Sequence, residues 1–234
     1  MRTLLAGAYA FFFFAVTFVL LNSCSKKNET AQLPVISPTV NPISYSTIVY
    51  LIKPTDKSWN VDYYNAAKSS ILEIKDWYKT QLGKTFILNP VVVDTLSGLH
   101  TSGWYADNNG PDISGSVVYA YNNVKYEMKQ LLGSKFDTSL YTYFVYVQAN
   151  IPDETVPRGL AVEGSNNLDG LVDKVNFFMG MDAHALAHAF GLPEPTVETS
   201  NGIMSAVGIP KWPNCVFTPA EKDSLNISPF VQGN

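Results

Sequence analysis

Residues 184–194 of this 234-residue chain read HALAHAFGLPE, and this segment restricts the fold more than any other stretch. His184 and His188 are four apart, so on a helix both imidazoles project from one face and can reach a single ion at about 2.0–2.1 Å. Gly191 can take the left-handed conformation that turns a chain sharply out of a helix, and Pro193 prevents the helix from continuing. The chain therefore folds back beneath the two rings, where Glu194 supplies a third donor from another direction. An open, three-ligand zinc site requires that geometry, and two histidines with a glutamate form a competent catalytic shell. The bland alternative is an alanine-rich helix whose histidines are one turn apart by coincidence. The chain holds only 3 histidines. With His100 far upstream in a loop, where it reads as a surface residue, the metal site depends on Glu194. Asp182 reads either as a carboxylate that orients a ligand histidine or as a solvated helix residue.

Composition removes other classes of function. A net charge of −4 with 15% charged residues leaves no basic stripe for a phosphate backbone, so nucleic acid is not an expected partner. Aromatic residues at 13% are ample core material, and 2 cysteines cannot supply a disulfide framework. At the start of the chain, Arg2 precedes an apolar run from Leu4 to Leu21, followed by Asn22, Ser23 and Cys24. These are the parts of a secretory signal, and the run is also just long enough for a membrane span. LNSC resembles the lipobox of bacterial lipoproteins, which implies cleavage before Cys24 and a lipid on its sulfur. Ser25, Lys26, Lys27 and Glu29 look like the tether of an outer-membrane lipoprotein of Bacteroidetes type. That resemblance implies a lipid-anchored protein of the cell envelope, held to the membrane through its N-terminal lipid. Lipidation at Cys24 leaves Cys215 without an intrachain partner, most simply as a buried thiol.

The expected organisation is a signal peptide over 1–23, a tether over 24–46 spaced by Pro34, Pro38 and Pro42, and one domain over 47–234. Within the domain, Thr47 to Ile52 is a short apolar run of strand length. Ala67, Ile71, Ile74, Tyr78 and Leu82 mark one helical face, with Gly83 as a stop. Thr85 to Val93 reads as a strand, Ser97 to Gly115 as a loop, and Val117 to Leu131 as a second helix stopped by Gly133. Tyr141 to Val147 and GLAVEG (159–164) read as strands. Alternating strands and helices argue for an α+β fold in which helices pack on a mixed sheet.

HALAHAFGLPE resembles the metzincin zinc-protease signature HExxHxxGxxH, and Met204 in NGIMSA resembles that family's Met-turn. The resemblance implies a metzincin-like zincin: a mixed twisted sheet with packed helices, an active-site helix and a Met-turn. It implies that His184, His188 and Glu194 hold Zn²⁺, that Gly191 makes the turn, and that Met204 lies beneath the metal. It places GLAVEG at the substrate-pairing edge strand. FTPAEKDSL resembles the closing helix, with Thr218 as N-cap and Pro219 at its first position. Two departures bear on activity. The family's general base falls at Ala185, whose methyl group accepts no proton; losing such help costs about 10²–10⁴ in rate. Glu194 stands in place of the usual His or Asp. Another carboxylate, Glu163, Glu198 or Glu194, would then have to act as base. The expected function is peptide-bond hydrolysis, impaired at Ala185, on a peptide or protein substrate. The alternative is a pseudoprotease or binding lipoprotein that keeps the fold.

Overall fold

The computed structural model describes residues 45–107, 109–111, 119–152, 154–156, 159–195 and 199–233. The expected signal segment, Cys24, nearly all of the expected tether, Val117 and Glu198 lie outside the described residues. Six strands form one sheet: β1 (Ser46–Lys53), β2 (Ile87–Leu88), β3 (Asp94–Ser97), β4 (Thr142–Val147), β5 (Glu154–Val156) and β6 (Leu160–Glu163). The order is β2-β1-β4-β6-β5, with β3 also paired to β1 beyond β2's short ladder. All pairings are parallel except β5 with β6.

Alternation along β1 and β4 divides the core in two, because successive side chains point to opposite faces. Val49, Leu51, Phe144 and Tyr146 face α1 (Val61–Leu82), α4 (Ser165–Val172), α5 (Asn176–Ala189) and α6 (Pro219–Asn226). Ile48, Tyr50, Ile52, Tyr143 and Val145 face α2 (Ser102–Ala106) and α3 (Tyr119–Leu132). The strands are apolar throughout because both faces are covered. The expected stripe of α1 is the buried one, and Gly83 closes that helix at φ 73°. Thr218 caps α6 in a reciprocal bond pair with Glu221.

Several elements differ from expectation. Thr85 to Val93 contributes only the two-residue β2, and the pairing with β1 resumes at Asp94, within the polar DTLS. The expected loop from Ser97 contains α2. GLAVEG is not an edge: β6 lies between β4 and β5 with all four residues buried, and the edge is the short antiparallel β5. His100 is no simple surface residue. Its ring stacks on Trp104 at 3.7 Å, and its Nδ1 lies 2.8 Å from Glu127, a fully buried carboxylate on α3 that also accepts from the Leu99 amide.

Two features of this packing hold the C-terminal segment on α5. Trp77, Tyr78, Phe86, Phe190, Phe217 and Trp212 form one chain of ring contacts at 5.0–5.7 Å between centroids. Gly180 lets α5 approach the turn at Ile209–Lys211 so closely that an added Cβ would lie 2.3 Å from the Ile209 carbonyl oxygen. Gly180→Ala should therefore destabilise the protein by about 1–3 kcal/mol, seen as a melting temperature lowered by about 2–4 °C per kcal/mol at this size. Cys215 is buried, with no disulfide among the described residues, and burial pushes its thiol up to about 11. Only the thiolate attacks. Native protein at pH 8 should resist a thiol reagent that labels it promptly in denaturant.

Candidate metal centre

Helix α5 carries both histidines, and its end positions the third donor. The helix closes in a Schellman motif: the Leu192 amide donates to the Ala187 carbonyl (3.0 Å) and the Gly191 amide to the His188 carbonyl (2.8 Å). Gly191 sits at φ 107°, a region that penalises any side chain. Leu192 and Ala187 are both buried in the core, the apolar contact that accompanies this motif. The turn reverses the chain, so the Leu192 carbonyl and Glu194 come back toward the helix face they have just left.

The ring nitrogens are sorted by this reversal. His188 Nδ1 lies 2.7 Å from the Leu192 carbonyl oxygen, and His184 Nδ1 lies 3.1 Å from that of Ile203. A carbonyl oxygen only accepts, so both Nδ1 atoms carry the hydrogen, and in each neutral ring Nε2 is left as an acceptor. These two Nε2 atoms stand 3.0 Å apart, and Glu194 Oε1 is 3.1 Å from that of His188. Acceptors at that separation repel one another unless a proton or a cation is shared between them. One donor atom from each of the three residues lies within 4.8 Å of the others. Tetrahedral ligands at about 2.0–2.1 Å from zinc lie roughly 3.3–3.4 Å apart. The donor set therefore fits zinc in number and type, with two of its spacings close to the tetrahedral value, and ligand histidines characteristically give their second nitrogen to a backbone carbonyl.

Ile203 belongs to the NGIMSA loop, so the expected Met-turn reaches the site through its backbone. The loop is tied to the strand-like segment at Val216 by the Ile203 and Val216 amides, 2.9 Å each, and closes on itself so tightly that a Cβ on Gly208 would lie 1.8 Å from the Gly202 carbonyl oxygen. Met204 is buried in the same core as Ala185 and Ala187. Ala185 is 2% exposed and offers only a methyl group beside the histidines. Glu163 is fully buried at the end of β6, where it accepts from Asn167 Nδ2, so it does not meet a bound ligand as a base. The Glu194 side chain is 75% exposed, and a cavity of about 330 Å³ beside it is lined by Leu192, Pro195, Thr218, Glu221 and Ser224.

Asp182 orients neither histidine, since both Nδ1 atoms are engaged by carbonyls, and it is not solvated. It is fully buried and accepts from Ser70 Oγ (2.8 Å) and Tyr146 Oη (2.5 Å). No signal local to position 182 announces this, because the partners lie 112 and 36 residues away.

No protein-family model matches the chain, and no curated protein matches it. Among solved structures, it is similar to OgpA from Akkermansia muciniphila, crystallised in a catalytically inactive form with an O-glycopeptide (glycodrosocin) substrate. The TM-score is 0.61 at 14% identity, over 84% of this chain and 63% of that one, so this chain spans less than two thirds of OgpA's length. Archaemetzincin from Methanopyrus kandleri gives a TM-score of 0.42 at 14% identity, over 80% of this chain and 97% of that one. At such identity a likeness bears on fold alone, and the second is too loose to add to it. The chain thus shares its fold with OgpA, an α+β arrangement in which helices pack on a mixed sheet, as expected. Replacing Gly191 by alanine should cost about 1–2 kcal/mol at its left-handed backbone and weaken metal binding with it, measured together by thermal melting and calorimetric titration.

Proposed function

We propose that this chain is a zinc metallopeptidase-like protein of the cell envelope, tethered through lipid on Cys24. It holds Zn²⁺ through His184, His188 and Glu194, and its cleft takes a peptide, glycosylated peptides included. The observation that carries the reading is the convergence of two Nε2 atoms and a carboxylate oxygen, with each Nδ1 committed to a carbonyl. The peptide ligand is supported by the shared fold with OgpA, which was crystallised with an O-glycopeptide. Strand β5 packs against α5 and forms a sheet edge, a surface along which an extended peptide could add by backbone hydrogen bonds.

Zinc bound to these residues supplies Lewis-acid polarisation of a peptide carbonyl and of water. The chain's own residues supply less. The two carbonyls hold both rings aimed and place the hydrogen of each neutral ring on Nδ1, and the Schellman turn presents Glu194. No carboxylate stands at 185 to take a proton from the attacking water, and Glu163 is sequestered. Hydrolysis is therefore slowed by about 10²–10⁴ relative to a site with a placed base. A second reading, a binding protein that cuts nothing, is favoured by the same two facts, the methyl at 185 and the burial of Glu163.

Calorimetric titration of the full chain with zinc should give one bound ion, and His188→Ala should weaken binding beyond the 10–100-fold typical of losing an outer partner. No binding in the native chain would overturn the metal reading. Peptide and O-glycopeptide cleavage should rise at least about 100-fold in Ala185→Glu, with folding checked by circular dichroism. Zero turnover in the native chain together with turnover in the variant would establish the binding protein, and equal rates would place the base elsewhere.

A further inference from the structure

Helix α5 has an unusual surface for a helix that must deliver two ring nitrogens to one point. Gly180, Ala183, Ala185, Ala187 and Ala189 make much of its buried surface smooth, and Met179 and Leu186 are its larger buried apolar side chains. Methyl-sized knobs resist rotation about the helix axis weakly. Side-chain tips lie about 5–6 Å from that axis, so a rotation of about 20° would carry each Nε2 about 2 Å, the whole length of a zinc–nitrogen bond. Directional polar contacts set such an angle more sharply than apolar packing, which here rests on Met179, Leu186 and the close approach at Gly180.

The polar contacts of α5 away from its metal face are of this kind. Asp182 lies about 160° around the helix from His184, at roughly 100° per residue. Its Oδ2 accepts from Ser70 Oγ on α1 and from Tyr146 Oη on β4, at 2.8 and 2.5 Å. One residue on, the Ala183 carbonyl accepts from Tyr78 Oη, also on α1, at 2.9 Å. Asp182, Ser70, Tyr146 and Tyr78 are all at most 2% exposed. One carboxylate is thus held by donors from a helix and from a central strand, two directions that together leave it no freedom to swing. Burial and the neighbouring Asp182 carboxylate hold the Tyr146 phenol well above its ordinary range, so it remains a donor throughout neutral pH. A buried carboxylate is costly to desolvate, and buried polar groups of this kind are best attested as devices that select one register among several apolar packings.

We infer that Asp182, with Ser70 and Tyr146, forms a positioning clamp that fixes the rotation of α5 and so holds both histidine rings in register with the loop that carries the Ile203 carbonyl. The inference rests on the reading that these histidines hold a metal. None of the three residues touches the ion. They act through the helix, from its opposite side.

The test separates rotation from stability, using the full chain. In the triple variant Ser70→Ala, Tyr146→Phe, Asp182→Leu, apolar groups replace the whole clamp, an exchange that is often neutral or stabilising. Its metal-free melting temperature should equal or exceed that of the native chain, while zinc affinity falls about 10–100-fold, the usual cost of losing an outer partner. Cobalt substituted for zinc should show altered visible absorption in the variant, reporting a changed ligand geometry. Asp182→Asn, which keeps an acceptor for both hydroxyls, should restore affinity to within a few-fold. Tyr146→Phe alone provides a milder variant should the triple one fail to fold, with a smaller loss in the same direction. Native affinity and an unchanged cobalt spectrum in the triple variant, or in Tyr146→Phe if only that folds, would overturn the clamp and leave the metal reading intact. Failure of the native chain itself to bind zinc or cobalt would overturn both.

Discussion

The two imidazole N–H groups of α5 are given to backbone carbonyls, and most of the surrounding architecture exists to put those carbonyls in place. The Leu192 oxygen is available to His188 only because the chain reverses at Gly191, and the Ile203 oxygen reaches His184 only because the 201–208 loop folds tightly against Val216. Each carbonyl decides which nitrogen carries the hydrogen and leaves the other as an acceptor. The glycines at 180, 191 and 208 mark where this requires backbone to meet backbone or to turn left-handed. The aromatic chain from Trp77 to Phe217 holds the C-terminal half against the helix, so that the loop and the turn share one rigid support.

The carboxylates near α5 divide by burial. Glu194 is exposed and lies 3.1 Å from His188 Nε2. Glu163 and Asp182 lie inside the protein, bonded to Asn167, Ser70 and Tyr146. A side chain can serve as base only if water and substrate reach it, and neither of these is reached. With a methyl group at 185, the proposed function keeps the metal-ligand geometry without a proton acceptor beside it. Ligand binding and proton transfer are separable demands here, because they fall on different residues of one helical turn.

Much of this was legible from residue pattern. The histidine spacing, the stop at Gly191, the stripe of α1 and the Thr218 cap depend on interactions within about four residues, and each is where the pattern placed it. The reading went wrong where a residue's role depends on a distant partner. DTLS joins the sheet through its pairing with β1, although its composition is polar. GLAVEG is flanked on both sides by other strands, a matter of sheet order that its own composition does not express. His100 reads as a surface residue until α3 brings Glu127 beneath it.

What the sequence determined alone is local: two imidazoles on one helical face, a turn that must follow them, an acidic residue arriving from beneath, and no base at 185. These follow from helical periodicity and side-chain chemistry, which need no knowledge of the rest of the chain. What only the tertiary structure decided is orientation. The nitrogen of His184 that carries its hydrogen, the burial of Asp182 and the angle at which α5 sits on the sheet depend on groups 19 to 112 residues away. Hydrogen bonds and burial act through space, and the order of residues along the chain does not record those distances.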